Sequence, residues 1–265
     1  MADVRNIYRF LDRIAPFRTQ EDFDNAGFLV GRGDREVNRI LVALDITGEV
    51  AGEAARWGAE LIVAHHPVIF NPVKSVTDES LVGRVLLELV ENKIAAICAH
   101  TNLDAAHGGV NGCLARALEL TGIGQLCQAG VDDKGRPYGI GRTGTAHRPG
   151  LSAAEYAAFV KEKLSCACVR FADGGRPVSK VAVGGGACGS MLEDALAQGC
   201  DTFVTADLKY NQFLDARALG LNLLDAGHFP TENVVCAPLA RRLAKEFPQV
   251  EVMVSQVHTE VCSNV

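Results

Sequence analysis

The feature that most constrains this fold is an internal repeat of short apolar runs and helical segments. Residues 39–45 (RILVALD) form an apolar run, and a similar run at residues 180–186 (KVAVGGG) begins 141 residues later. Each run is followed by a helical segment and then by a second apolar run, at 58–66 and at 199–207. Short apolar runs that alternate with helices predict the buried strands of a parallel or mixed sheet. We therefore predict an α/β protein of two related α/β domains, with mixed sheets flanked by helices.

Local signals predict where the helices lie. Apolar spacing predicts helices over residues 4–14, 48–58 and 79–92. A serine followed three residues later by a glutamate predicts that two further helices begin after Ser152 and Ser190. Residues 124–150 are rich in glycine and polar residues and lack helical periodicity, so a change of domain is expected there.

Composition and charge exclude several classes of protein. No apolar run approaches the ~20 residues that a membrane-spanning helix needs, and residues 1–5 lack the pattern of a signal peptide. The net charge of −6 makes nucleic acid an unlikely partner. Nine scattered cysteines without a CxxC motif indicate reduced, mostly buried thiols. We expect a cytoplasmic protein that does not enter the membrane.

Polar side chains follow the predicted strands at the points where those strands end. His65 and His66 follow one strand of the first repeat, and Asp104 follows the next. His228 and Glu232 follow the last strand of the second repeat. Ligands of α/β sheets bind beyond the carboxyl ends of strands, and imidazole and carboxylate ligands without thiolate suit zinc, iron, manganese or cobalt. The sequence predicts a metal site at these strand ends, between the two repeats.

The spacing of these residues favours two ions over one. Adjacent residues in extended backbone point to opposite sides, so His65 and His66 are expected to bind different ions. His228 and Glu232 are four residues apart and share a face if the chain after Gly227 is helical. Carboxylates can then bridge two ions while imidazoles bind one ion each.

The remaining candidates are expected to support the ligands or to have no part in the site. His100 lies at a strand end and is expected to order Asp104 by a hydrogen bond. Asp207 stands in the second repeat where His66 stands in the first, and it is also expected to support the ligands. The other histidines are expected to be ordinary surface or loop residues: His107, His147 and His258.

A glycine motif offers a competing interpretation. Residues 184–189 (GGGACG) match G-x-G-x-x-G between a predicted strand and a helix, and Asp207 lies 21 residues after Gly186. That context is typical of a dinucleotide-binding loop. A tight turn between a strand and a helix explains the same glycines.

Four motifs, in this order, resemble the NIF-three-like family, whose members often carry the names GTP cyclohydrolase I type 2 or dinuclear-metal-centre hexameric protein. They are DNAGFLVG at 24–31, AHHPVIF at 64–70, HTNLD at 100–104 with GGVN at 108–111, and GHFPTE at 227–232. The resemblance covers nearly the whole chain. It implies a metal-site domain formed by residues 1–124 and 220–265, and a second domain formed by residues 125–219. It also implies a toroidal homohexamer, a small-molecule substrate and two divalent ions per subunit, zinc, iron or manganese. By matching positions, the ligands are His65, His66, Asp104, His228 and Glu232.

One stretch departs from the family pattern. Residues 205–211 (TADLKYN) resemble the family's T-G-[DE]-x-K-[YH]-H, with Ala206 in place of glycine and Asn211 in place of histidine. Lys209 and Tyr210 remain as candidate catalytic residues that stabilise negative charge or donate a proton.

Three functions remain open at this point. The first is metal-dependent hydrolysis of a nucleotide or phosphoester, similar to the cyclohydrolase activity in the family's name. The second is a metal-binding, metal-delivery or regulatory protein without turnover. The third, based on the glycine motif, is a nucleotide-binding module.

Overall fold

The computed structural model of the protein describes residues 2–132 and 135–265. Along the described chain the strands are β1 (Gly27–Val30), β2 (Arg39–Ala43), β3 (Leu61–Ala64), β4 (Ala95–Cys98), β5 (Thr121–Gln125), β6 (Gly130–Val131), β7 (Pro137–Tyr138), β8 (Arg142–Thr145), β9 (Arg170–Ala172), β10 (Lys180–Val183), β11 (Thr202–Thr205), β12 (Asn222–Asp225) and β13 (Glu251–Val254). The helices are α1 (Val4–Ile14), α2 (Gly48–Trp57), α3 (Leu81–Glu91), α4 (Thr101–Ala105), α5 (Val110–Ala117), α6 (Ala153–Leu164), α7 (Leu192–Ala197), α8 (Tyr210–Ala218), α9 (His228–Asn233) and α10 (Cys236–Glu246).

Local capping chemistry fixes the start of several helices. The Ser152 side chain accepts a hydrogen bond from the Glu155 backbone, and the Glu155 side chain reaches back to Ser152, so the predicted capping box of α6 is confirmed. The predicted cap at Ser190 is wrong. Ser190 lies inside a 3₁₀ turn over Gly189–Met191, and α7 begins only after Met191 without a side-chain cap.

The chain divides into two compact units. Their residues are Met1–Leu103 with Cys236–Thr259 for the first unit, and Asp104–Val235 with Glu260–Val265 for the second. The first unit is discontinuous because β13, near the end of the chain, pairs in parallel with β2. The boundaries expected after residues 124 and 219 lie within the second unit, because β5 and β12 both belong to its sheet.

The first unit contains a five-stranded sheet in the order β1-β4-β3-β2-β13. β13, β2, β3 and β4 are parallel, and β1 is antiparallel to β4. β3 and β4 are buried along their whole length, which explains their uninterrupted apolar sequences. Ala43, Ala64 and Cys98 are neighbours at the carboxyl ends of β2, β3 and β4, so the residues that follow these strands leave from one edge of the sheet.

The second unit contains a six-stranded sheet in the order β5-β8-β10-β11-β12-β9. β10, β11 and β12 are parallel, and the other pairs of this sheet are antiparallel. β6 and β7 form a separate two-stranded antiparallel sheet. Thr205 and Asp225 pair at the carboxyl ends of β11 and β12, which again places the following residues at one edge.

Four strands of each sheet share one order and the same relative directions, which confirms the internal repeat. The series α1-β1-β2-α2-β3-α3-β4 in the first unit corresponds to α6-β9-β10-α7-β11-α8-β12 in the second. In both units the first strand of the series is an edge strand, antiparallel to the last strand. The mixed α/β architecture predicted from the apolar runs is therefore present.

Each unit has its own apolar core. In the first unit, side chains of the central strands pack with α2 and α3, for example Leu41, Val50 and Leu89. In the second unit, one core cluster includes Tyr156 and Val160 of α6, and another forms around Phe203. No helix within the described residues is long and apolar enough to cross a membrane.

Candidate metal centre

Three histidine rings of the first unit lie against one another beyond the ends of β3 and β4. The ring centroids of His65 and His66 are 4.9 Å apart, and those of His65 and His100 are 5.1 Å apart. One ligand atom from each of the three side chains lies within 4.8 Å of the others, which is close enough for a shared ion. The expectation that His65 and His66 point to opposite sides is wrong. Both residues follow the last residue of β3, so the alternation of an extended strand does not apply to them.

Each of these rings is anchored through its Nδ1 atom. His65 Nδ1 lies 2.8 Å from the Ala99 carbonyl oxygen. His66 Nδ1 lies 2.7 Å from Asp45 Oδ1, and His100 Nδ1 lies 2.7 Å from Asp24 Oδ1. An oxygen acceptor at Nδ1 holds the proton there, so the lone pair of the neutral ring lies on Nε2. Protein imidazoles that bind metal ions are commonly oriented in this way.

The two supporting carboxylates are held in the ionised form. Burial raises the pKa of Asp24, but hydrogen bonds from His100 and Thr101 outweigh burial and lower the pKa to about 2. Burial also raises the pKa of Asp45, and hydrogen bonds with His258 and His66 again hold the pKa well below its ordinary value. Neither aspartate was among the site residues predicted from the sequence.

His258 also differs from its expected role. Its side chain is 9% exposed, and its Nε2 lies 2.9 Å from Asp45 Oδ2. It is therefore a largely buried partner of Asp45 and not an ordinary loop residue. His107 and His147 are exposed, as expected.

In the second unit, His228 and Glu232 meet on one face of α9. The chain is helical after Gly227, which is the condition under which these two residues share a face, and His228 Nε2 lies 3.0 Å from Glu232 Oε2. His228 Nδ1 lies 2.7 Å from Asp207 Oδ2. The hydrogen bond with Glu232 raises the pKa of His228 to about 9, against the effect of burial and with further help from Asp207. This imidazole also has an oxygen acceptor at Nδ1 and a carboxylate beside Nε2.

Asp104 is buried near the end of α4, where a buried arginine holds the backbone. The Arg142 guanidinium donates to the carbonyl oxygens of Ala105 and Ala106, and also to those of Gly139 and Gly141. Burial lowers the pKa of Arg142 to about 10, and the negative charge of Asp104 opposes this effect. Arg142 thus fastens the chain directly after Asp104. The sequence carries no signal for this role, because the acceptors at Ala105 and Ala106 lie more than 35 residues away from Arg142.

The backbone N–H groups of the glycine motif at 184–189 make hydrogen bonds within the second unit. Gly185 N donates to Asn111 Oδ1 over 2.8 Å, and Gly186 N donates to Thr231 Oγ1 over 3.0 Å. Gly184 N donates to the Val204 carbonyl oxygen. A dinucleotide-binding loop directs such groups to a pyrophosphate, but here they hold the loop to its own domain. These contacts favour the tight turn over the nucleotide-binding interpretation.

Residues 205–211, which depart from the family pattern, lie mainly on the surface. Asp207, Lys209, Tyr210 and Asn211 are exposed, and Tyr210 is 78% exposed. Ala206 is fully buried. The two candidate catalytic residues are therefore accessible to a solute at the start of α8.

The donor chemistry of both units fits a divalent cation. Imidazoles anchored at Nδ1, together with carboxylates, match the ligands and supporting acceptors of known metal sites. Nitrogen and oxygen donors without thiolate suit zinc, iron or manganese. These clusters could hold a metal ion.

The chain is similar to known proteins over nearly its whole length. A GTP cyclohydrolase 1 type 2 homolog from Clostridium perfringens is 33% identical over 255 residues, which are 96% of this chain and 96% of that protein. A protein of the same name from Streptomyces coelicolor is 38% identical over 236 residues, covering 88% of this chain and 82% of the relative. The crystal structure of a Staphylococcus aureus hypothetical protein is 29% identical, with a TM-score of 0.92 over 99% of both chains. The family model Duf34/NIF3 (NGG1p interacting factor 3) matches residues 2–261. The chain therefore belongs to the Duf34/NIF3 family.

Proposed function

We propose that this protein binds two divalent metal ions through His65, His66, Asp104, His228 and Glu232, and uses them in hydrolysis. The observation that carries the proposal is the anchoring of four imidazoles at Nδ1. Three of them are the proposed ligands His65, His66 and His228, and the fourth, His100, packs against the rings of His65 and His66. Such anchoring costs rotamer freedom, and it directs Nε2 of each ring toward an electrophile such as a metal ion.

The substrate we propose is a small molecule of the nucleotide or phosphoester class. The proposed ligands would hold the two divalent ions, which would supply Lewis acidity and a water of lowered pKa for the hydrolysis of such a substrate. The names of the bacterial relatives support a cyclohydrolase-like reaction on a guanine nucleotide.

The chain's own residues have separate tasks in this proposal. Asp45 and Asp24 keep the protons of His66 and His100 on Nδ1. Asp207 does the same for His228. Exposed Lys209 stabilises negative charge on the substrate, and Tyr210 donates a proton to the leaving group.

A second candidate is a metal-binding, metal-delivery or regulatory protein without turnover. Asn211 is exposed, and it stands at the position where the family pattern has a histidine. This replacement of the histidine is the observation that favours the second candidate. A toroidal homohexamer remains part of either proposal, on the basis of the family resemblance. Cytoplasmic location is likewise an expectation.

Metal content measured by elemental mass spectrometry tests the shared part of both candidates. We expect about two ions per chain in the wild-type protein and a clear loss in Glu232→Ala and in His65→Ala. His147→Ala is the matched control, because His147 is exposed and lies outside both clusters. Wild-type protein that binds no zinc, iron or manganese above the level of the buffer contradicts the proposal.

Turnover separates the two candidates. Metal-loaded protein incubated with GTP should release a ring-opened product, and Glu232→Ala should not. Stoichiometric metal without turnover of GTP or of a panel of phosphoesters favours the second candidate.

A further inference from the structure

The carboxylate of Asp45 contacts two histidines that lie far apart in the sequence, His66 and His258. Asp45 follows β2, and its Oδ1 lies 2.7 Å from His66 Nδ1. Its Oδ2 lies 2.9 Å from His258 Nε2, although the two residues are 213 positions apart. Because a carboxylate only accepts hydrogen bonds, His66 Nδ1 and His258 Nε2 each donate a proton to Asp45 in these contacts. The backbone N–H of Asp45 lies 3.2 Å from the same His258 Nε2, and it donates to that nitrogen only in the ring form whose proton is on Nδ1.

The turn that carries His258 is fastened to a buried acid. The Ser255 hydroxyl donates to Glu53 Oε2 over 2.5 Å, and the Gln256 backbone donates to Glu53 Oε1 over 2.9 Å. Glu53 lies on α2 and is 8% exposed. The Ser255 backbone also donates to the Val42 carbonyl oxygen at the end of β2. The backbone of His258 donates to Ser255 Oγ. These contacts hold the turn on the strand that leads to Asp45.

Asp45 needs a second partner if it is to orient His66. Its side chain is 38% exposed, so the carboxylate of an unbraced Asp45 can rotate into solvent. With one oxygen held by His258, the other oxygen is directed at His66 Nδ1. A ring whose Nδ1 proton is fixed in this way presents its Nε2 lone pair in one direction.

We propose that His258 is a positioning residue that, through Asp45, orients the imidazole of His66 for metal binding. The inference rests on the proposed function, because it takes His66 as a metal ligand. It assigns a task in the site to the C-terminal segment that follows β13.

The test compares His258→Ala and His258→Gln with the control His147→Ala. Metal affinity is measured by competition with a chromophoric chelator for zinc. We expect His258→Ala to weaken the binding of one ion by about 10- to 100-fold, since loss of a group that orients a ligand has effects of this size. His258→Gln keeps an N–H donor and should recover most of the affinity. A role in stability alone would lower the melting temperature without this selective rescue. Equal affinity in the wild type and in His258→Ala overturns the inference while leaving the metal site intact.

A second measurement does not depend on metal. Long-range ¹H–¹⁵N spectra of the metal-free protein report which ring nitrogen of His66 carries the proton, and the seven histidines can be assigned by single substitutions. We expect the Nδ1–H form in the wild type and in His258→Gln, and a mixture of forms in His258→Ala. Unchanged His66 signals in His258→Ala overturn the inference whether or not the wild type binds metal. A wild type that binds no metal refutes the proposed function separately.

Asp45→Asn keeps the inference testable if His258→Ala does not fold. The amide keeps the shape of Asp45 but has only one acceptor oxygen, so it cannot accept from both rings. We expect Asp45→Asn to weaken the binding of one ion as His258→Ala does, by about 10- to 100-fold. Zinc affinity equal to the wild type in a folded Asp45→Asn protein contradicts the inference.

Discussion

Gly186 lies so close to Glu232 that a β-carbon at position 186 would stand 2.1 Å from Glu232 Oε1. The same β-carbon would stand 3.2 Å from His228 Cε1. Gly186 has a φ of +65°, a conformation that disfavours other residues. In the first repeat the corresponding position is Asp45, 141 residues earlier. At this position the first repeat has Asp45, whose carboxylate contacts His66, and the second repeat has Gly186, which leaves space for Glu232.

Gly186→Ala should destabilise the protein and displace Glu232. The left-handed backbone alone costs about 1–2 kcal/mol for alanine, and the contact with Glu232 adds to this cost. Gly199→Ala is the control, because Gly199 has a φ of +72° and no atom of the described chain lies within 4 Å of its added β-carbon. Chemical denaturation gives both stabilities, and elemental analysis gives both metal contents. Equal effects of the two substitutions would show that the space beside Glu232 is unimportant.

Asp207→Ala should weaken metal binding at His228. The substitution removes the acceptor from His228 Nδ1, and the loss of such an acceptor commonly lowers metal affinity by about 10- to 100-fold. Asp207→Asn retains one acceptor oxygen and tolerates the φ of +55° at this position, so its effect should be smaller. Chelator competition measures both. Asp215→Ala, which removes an exposed carboxylate from α8, should bind metal as the wild type does.

Asp24→Asn should destabilise the first unit in a manner that depends on pH. The pKa of Asp24 is about 2 in the folded protein, below the ordinary value of 3.8. A lowered pKa contributes stability that is fully present above pH 4 and is lost as the pH falls toward 2. The Asp24 side chain is fully buried against His100, so the expected difference at pH 7 is on the order of 2 kcal/mol. Denaturation of both proteins at a series of pH values checks this. A difference that stays constant down to the acid limit of the folded state contradicts the assignment.

Arg142→Met should destabilise the second unit by at least about 2 kcal/mol, because four carbonyl oxygens lose their donor. Arg142→Lys keeps the charge but lacks the planar fork, so it should recover only part of the stability. Arg136→Met is the control. It breaks a surface ion pair with Asp132, and pairs of this kind are worth about 0.2–1 kcal/mol. Thermal or chemical denaturation compares the three, and a similar small loss for Arg142→Met and Arg136→Met contradicts the structural role of Arg142.

Much of the secondary structure could be predicted from the sequence. The apolar runs at 39–45 and 61–64 coincide with β2 and β3, and the helix expected over 48–58 is α2. The i, i+4 pair of His228 and Glu232 was also predictable, because both residues lie on one short helix. These features depend on neighbours in the chain, whose spacing can be read directly.

One prediction failed for a local reason, since the Ser190 cap was wrong because a 3₁₀ turn precedes α7. Elsewhere, residues distant in sequence decided the outcome. His258 was taken for a loop residue because its partner, Asp45, is 213 residues away. The edge strands β1 and β9 were not predicted. Each is short and forms only by pairing with β4 or β12.

The sequence by itself determined the repeat, the strand ends and the residue types that stand there, because hydrophobic periodicity and motif order are properties of the chain. Only the tertiary structure decided which acceptor orients each imidazole. Asp24 meets His100 across 76 residues, and Arg142 meets Ala105 across 37. Such contacts follow no period in the sequence, since they depend on how strands and loops pack once the cores have formed.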